Sequence, residues 1–115
     1  MKKSRVFVIQ QPMKKDDKGN EHPAFDFSAA EEYGAVEILA PNGKSIFTPD
    51  VLRNFIDDKL DELKFDARHD YVVPVGDYSV IFLVGMIMGC RGEEIKILRW
   101  VPSAKAYQPV SLIME

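Results

Sequence analysis

The stretch 71–90 constrains this chain more than any other. Fourteen of its twenty residues are apolar, and Asp77 is its only charge. A membrane-spanning helix needs about 20 such residues. Pro74, Gly76, Asp77 and Ser79 interrupt this run, and an aspartate facing lipid costs about 3 kcal/mol. The stretch therefore reads as a buried strand, a tight turn and a buried helix, with no membrane span. Residues 71–75 form the strand. Pro74 lacks an amide donor, which places it at an edge, a strand end or a bulge. Gly76-Asp77 is the turn, with Asp77 as N-cap of a helix over 78–89. That helix is apolar all round, so it is buried or forms an interface. Gly85 and Gly89 lie four apart on one side, a spacing that lets a helix backbone approach a sheet closely.

The other elements follow from periodicity and punctuation. Residues 5–10 (RVFVIQ) place apolar side chains on both faces of a strand, which fits an interior strand covered on both sides. Residues 14–20 (KKDDKGN) read as a polar loop, the mobile part of a wider segment around 13–24. Ser28 and Glu31 have the spacing of a capping box for a short helix over 29–33. Residues 35–40 form a second strand, and Pro41-Asn42-Gly43 is a turn leading to a short return strand at 45–47. Thr48-Pro49-Asp50 opens a helix, and Leu52, Phe55, Ile56, Leu60 and Leu63 give it one apolar stripe. Residues 95–101 and 106–114 form a hairpin around Pro102–Lys105. The order predicts a single α/β domain over 1–115: a small mixed β-sheet with two main helices and a C-terminal β-hairpin, sandwich-like.

Charge and cysteine content narrow the function. The chain is 46% hydrophobic, enough to bury a core, which argues against global disorder. Its formal net charge of −3 argues against gripping nucleic acid by bulk charge. That net charge resides entirely in residues 35–70, where five positive charges face eight negative ones. Asp57, Asp58, Asp61 and Glu62 form an acidic helix face, either solvated or a docking surface for a basic partner. The single cysteine, Cys90, excludes an internal disulfide and fits a reducing cytoplasm. Cys90 ends the apolar helix and reads as an inert small hydrophobe. Two histidines and one cysteine at no ligand spacing give no metal pattern.

The best candidate for chemistry is the strand-to-helix turn. A strand end, a glycine and a helix start present unpaired amides that favour anions. Asp70, Gly76, Asp77 and Ser79 would flank such a site, binding a nucleotide or phosphate, or hydrolysing a phosphoester. Asp77 can equally cap the helix from within. Arg99 and Trp100 on the hairpin are residue types that anchor partners.

Several pieces recur together elsewhere. Arg5-Val6-Phe7-Val8-Ile9-Gln10, Phe27-Ser28-Ala29-Ala30-Glu31-Glu32-Tyr33-Gly34, Asp70-Tyr71-Val72-Val73-Pro74-Val75-Gly76-Asp77, and Ile97-Leu98-Arg99-Trp100 with Tyr107-Gln108-Pro109-Val110 span most of the chain. As a set they resemble a group of small proteins encoded by bacteriophages and mobile elements. These motifs describe elements rather than chemistry, so the resemblance implies no catalytic residue and no cofactor. It implies an accessory protein in the cytoplasm of a bacterial host. The leading expectation is a non-enzymatic protein that binds a host factor or its own copies as a homodimer. The alternative is the nucleotide- or phosphate-handling protein built on Gly76-Asp77.

Overall fold

The structure, a computed structural model, describes residues 4–41 and 48–113. In chain order the elements are β1 (Arg5–Val8), β2 (Met13–Lys15), β3 (Glu21–Pro23), a 3-10 helix (Ser28–Tyr33), β4 (Ala35–Ile38), α1 (Pro49–Glu62), β5 (Tyr71–Val73), α2 (Tyr78–Arg91), β6 (Glu94–Val101) and β7 (Ala106–Ile113). Five strands form one mixed sheet in the order β4-β1-β5-β6-β7. The first four are parallel, and β7 returns antiparallel along β6. This is the α/β architecture expected from the alternation of strands and helices.

The double-sided apolar pattern of β1 explains the layers. Val6 and Val8 stand level with Val36 and Ile38 of β4 and with Tyr71 and Val73 of β5. They pack with Phe27, Ala30 and Leu98 on the face covered by the 3-10 helix. Phe7 and Ile9 point the other way and meet Val72, Ile56 and Leu60 of α1, and Val80, Val84, Ile87 and Met88 of α2. Both long helices therefore lie on one face. Burying each such aliphatic side chain contributes about 1.5–3 kcal/mol.

The helix starts match their sequence signals. The Thr48 hydroxyl accepts from the Val51 amide at 3.3 Å, with proline next. The Asp77 carboxylate accepts from the Ser79 amide at 2.9 Å.

Other details differ from expectation. The Ser28/Glu31 capping box does not form: the 3-10 helix has Phe27 at its N-cap position and no side-chain cap. The Asp26 carboxylate accepts from the Ser28 amide instead. The polar segment after β1 is a two-stranded ribbon, β2 with β3. The Asp16 carboxylate shapes its turn by accepting from the amides of Lys18 and Asn20, each at 2.9 Å. Cys90 is exposed, not buried. The expected return strand 45–47 and the Asn42-Gly43 turn lie outside the described residues. No described helix is long and apolar enough to cross a membrane.

One buried carboxylate ties the start of the sheet. Asp70, just before β5, accepts from the Arg5 amide at 2.9 Å and from the Asp66 amide at 2.8 Å. The Arg5 guanidinium reaches the Leu63 carbonyl at 2.8 Å, where α1 ends. Asp70→Ala leaves two partly buried amides without these acceptors, so it is expected to cost about 3 kcal/mol. Urea unfolding with unchanged midpoint and slope in this variant would refute the staple.

Candidate functional site

In open α/β sheets, ligands collect where two neighbouring parallel strands send the chain to opposite faces. Here those strands are β1 and β5. The chain leaves β1 for the face of the 3-10 helix and leaves β5 for the face of α2. The crevice between their ends is the Gly76-Asp77 turn singled out in the sequence.

Gln10 fills it. This side chain is 7% exposed and both ends of its amide are bonded. Its Oε1 accepts from the Asp77 amide at 2.7 Å, and its Nε2 donates to the Pro41 carbonyl at 3.0 Å. Its own backbone amide donates to the Val75 carbonyl at 3.0 Å. Gly76 has φ +133°, and a Cβ there would lie 2.5 Å from Gln10 Oε1. The glycine thus serves a close approach by a side chain of this chain. The structure brings Gly76, Asp77 and Ser79 together, but the Asp77 amide donates to Gln10 and the Ser79 amide to the Asp77 cap. Asp70 stands at the other end of β5, with Tyr71–Val73 between it and the turn. Among the described residues, no three His, Cys, Asp or Glu side chains converge as a metal site.

The acidic face of α1 divides in two. Asp57 and Asp61 each place a carboxylate oxygen 2.7 Å from the Arg91 guanidinium at the end of α2. The hydrogen bond that Arg91 donates to Asp57, with help from Asp61, holds the Arg91 pKa above its ordinary value. Their repulsion at four-residue spacing is offset by the shared cation. Asp58 and Glu62 take no part in this clamp and are exposed.

The hairpin separates Arg99 from Trp100, because neighbouring strand residues face opposite sides. Arg99 bonds Gln108 Oε1 at 3.1 Å. Trp100 is 46% exposed and meets the Tyr107 ring edge-on at 5.0 Å. The Tyr33 hydroxyl donates to the Tyr107 carbonyl at 3.1 Å. Burial, with the nearby Asp26 charge, raises the Tyr107 pKa. An open cleft of about 740 Å³ lies between Phe25, Phe27 and Val75 on one side and Leu98, Trp100 and Tyr107 on the other. It exists because β5 pairs with β6 only at Val72 and Ile97, and Pro74 cannot extend the ladder. Pro74 follows the last residue of β5, the strand-end alternative among those its missing amide allowed.

Among the described residues, the three most exposed large hydrophobic side chains lie on α2. Its buried side carries Val80, Val84, Ile87 and Met88. Its outer side carries Tyr78 at 82%, Phe82 at 74% and Met86 at 69% exposure. Gly85 and Gly89 were expected against the sheet. A Cβ added at either would meet nothing within 4 Å, so they belong to the open side. The four-residue spacing identified a stripe, but in a helix apolar all round it did not show which way the stripe faced.

These features define a small α/β protein whose strand-end crevice is closed by its own glutamine and whose second long helix exposes apolar side chains. The chain belongs to the Phage Pam3 gp32-like protein family, whose model matches residues 4–114. The phage resemblance read from the sequence therefore holds, and the protein belongs to a phage protein family. No curated protein and no solved structure matches the chain.

The fit of Gln10 against Gly76 can be measured. Gly76→Ala is expected to cost about 2–3 kcal/mol through backbone strain and collision, and Gln10→Ala about 1–2 kcal/mol through the lost bonds. Truncating Gln10 removes atoms that the new methyl group would hit. The double variant should therefore lose less than the sum of the single variants, by more than about 0.5 kcal/mol in urea unfolding. Strict additivity would show that the two residues do not share the crevice.

Proposed function

We propose that this protein is a non-enzymatic phage accessory protein and acts by protein–protein binding in the host cytoplasm, through the outer face of α2. The observation that carries this reading is the exposure of Tyr78, Phe82 and Met86 along one side of a helix with no charge from Tyr78 to Cys90. Such side chains each gain about 1.5–3 kcal/mol on full burial, and contiguous exposed apolar surface marks interaction sites. The reading has support from the other candidates too. Asp57 and Asp61 are committed to Arg91. A nucleotide or phosphate at the Gly76-Asp77 turn would have to displace Gln10 and compete with the helix cap, so we do not favour that alternative.

A photo-crosslinking phenylalanine analogue at position 82, expressed during infection, tests the reading. A discrete covalent adduct is expected from position 82. None is expected from position 14, which is exposed on the polar ribbon. Absence of any adduct from position 82 would remove α2 as the binding face.

A further inference from the structure

We infer that the partner on this face is a second copy of the chain, packed α2 against α2 in an antiparallel two-fold pair. This rests on the proposed protein-binding role of α2 and names its partner.

The first argument is shape. Bulky Tyr78 and Phe82 occupy the N-terminal half of the exposed face, and Gly85 and Gly89 lie in its C-terminal half. Both pairs have a spacing of four residues. An antiparallel placement that sets Phe82 against Gly85 of the other copy also sets Tyr78 against its Gly89. Both contacts share one midpoint, between Leu83 and Val84. A two-fold axis there repeats each contact, so four aromatic rings enter four glycine gaps and the assembly closes. A parallel pair would instead oppose ring to ring and gap to gap.

The second argument is that the glycines have no use within the chain. Glycine inside a helix is less favourable than alanine. At both positions a methyl group would meet nothing within 4 Å among the described residues beyond its chain neighbours and the helix's own backbone. Close approach of a second backbone gives the missing side chains a purpose.

Charge makes the same selection. A chain of net charge −3 repels its own copy wherever the acidic surface is presented. The face of α2 carries no charge over thirteen residues, and Arg91 at its end is turned into the clamp with Asp57 and Asp61. Such a face has nothing to steer a basic or acidic partner, and it matches an equally uncharged helix.

Area sets the strength. At their exposures Tyr78 and Phe82 offer about 300 Å² per copy. Met86 brings this to about 450 Å². The total offered by two copies is then about 900 Å², in the range of weak, transient interfaces. A weak, concentration-dependent dimer is expected.

Sedimentation equilibrium of the full chain from about 1 to 200 µM should show a rise from the 13.1 kDa monomer to twice that mass. Phe82→Asp should remain folded by circular dichroism and stay monomeric. Gly85→Ala with Gly89→Ala should raise the urea midpoint of the monomer while weakening dimerisation at least about tenfold. A wild type that stays monomeric throughout overturns self-association. If position 82 then still crosslinks to a different protein, the binding role survives and only its partner changes. A dimer indifferent to Phe82→Asp overturns the face. Glycine replacements that leave dimerisation intact or tighten it overturn the aromatic-into-glycine packing.

Discussion

Gln10 and Asp70 are the buried polar side chains among the described residues, and they stand at opposite ends of one strand pair. Asp70 holds the start of β5 to the start of β1 through the Arg5 amide. Gln10 holds the end of β1 to the turn after β5 through the Asp77 amide. Between them, Val6, Phe7 and Val8 pair with Tyr71, Val72 and Val73. A slip of one residue in this pair would turn the apolar side chains of β1 to the wrong layers. It would also strand both polar groups in the interior, which costs more than the bonds contribute when made. The placement of α1 and α2 depends on this register, because Phe7, Ile9 and Val72 form the floor on which both helices lie.

The same constraint bears on function. The crevice where a sheet of this kind would hold a small molecule is the place where Gln10 secures the register. A ligand there would have to take over the bonds to Asp77 and Pro41 as well as find its own. The phosphate-binding potential of the α2 N-terminus is further reduced by Asp77, whose carboxylate already supplies an acceptor and a negative charge. The far side of α2 also remains outward, since a single helix layer on a sheet covers only one side of each helix.

The sequence revealed the elements with local signatures. Thr48-Pro49-Asp50 marks the start of α1, Asp77 the start of α2, and Pro102–Lys105 the bend between β6 and β7, because each acts through bonds or backbone limits within a few residues. Non-local choices were hidden. Gln10 read as the last residue of a strand; nothing nearby shows that its amide reaches residues 31 and 67 positions away. The Ser28/Glu31 signal is genuine in spacing but falls on a 3-10 helix of two turns, where Asp26 satisfies the Ser28 amide instead. Gly85 and Gly89 were assigned to the sheet because small residues often mark close packing. In α2 the sheet side is filled by Val80, Val84, Ile87 and Met88, and a helix whose polar residues, Ser79 and Arg91, sit only at its ends gives no amphipathic direction to reveal this.

Two glycines inside α2 cost about 1–2 kcal/mol of helix stability relative to alanine, a substantial fraction of the 5–15 kcal/mol typical of a small domain. The helix tolerates them because its order does not come from intrinsic propensity. The Asp77 cap fixes its start, the Arg91 clamp to α1 fixes its end, and four buried side chains fix its side. With both ends and one face secured, the composition of the other face is free of folding requirements. A polar residue at positions 78, 82 or 86 would then serve solubility better than tyrosine, phenylalanine or methionine. Apolar bulk at one end and absent side chains at the other are consistent with a surface shaped for contact, with the fold supplying the rigid helix that such contact needs.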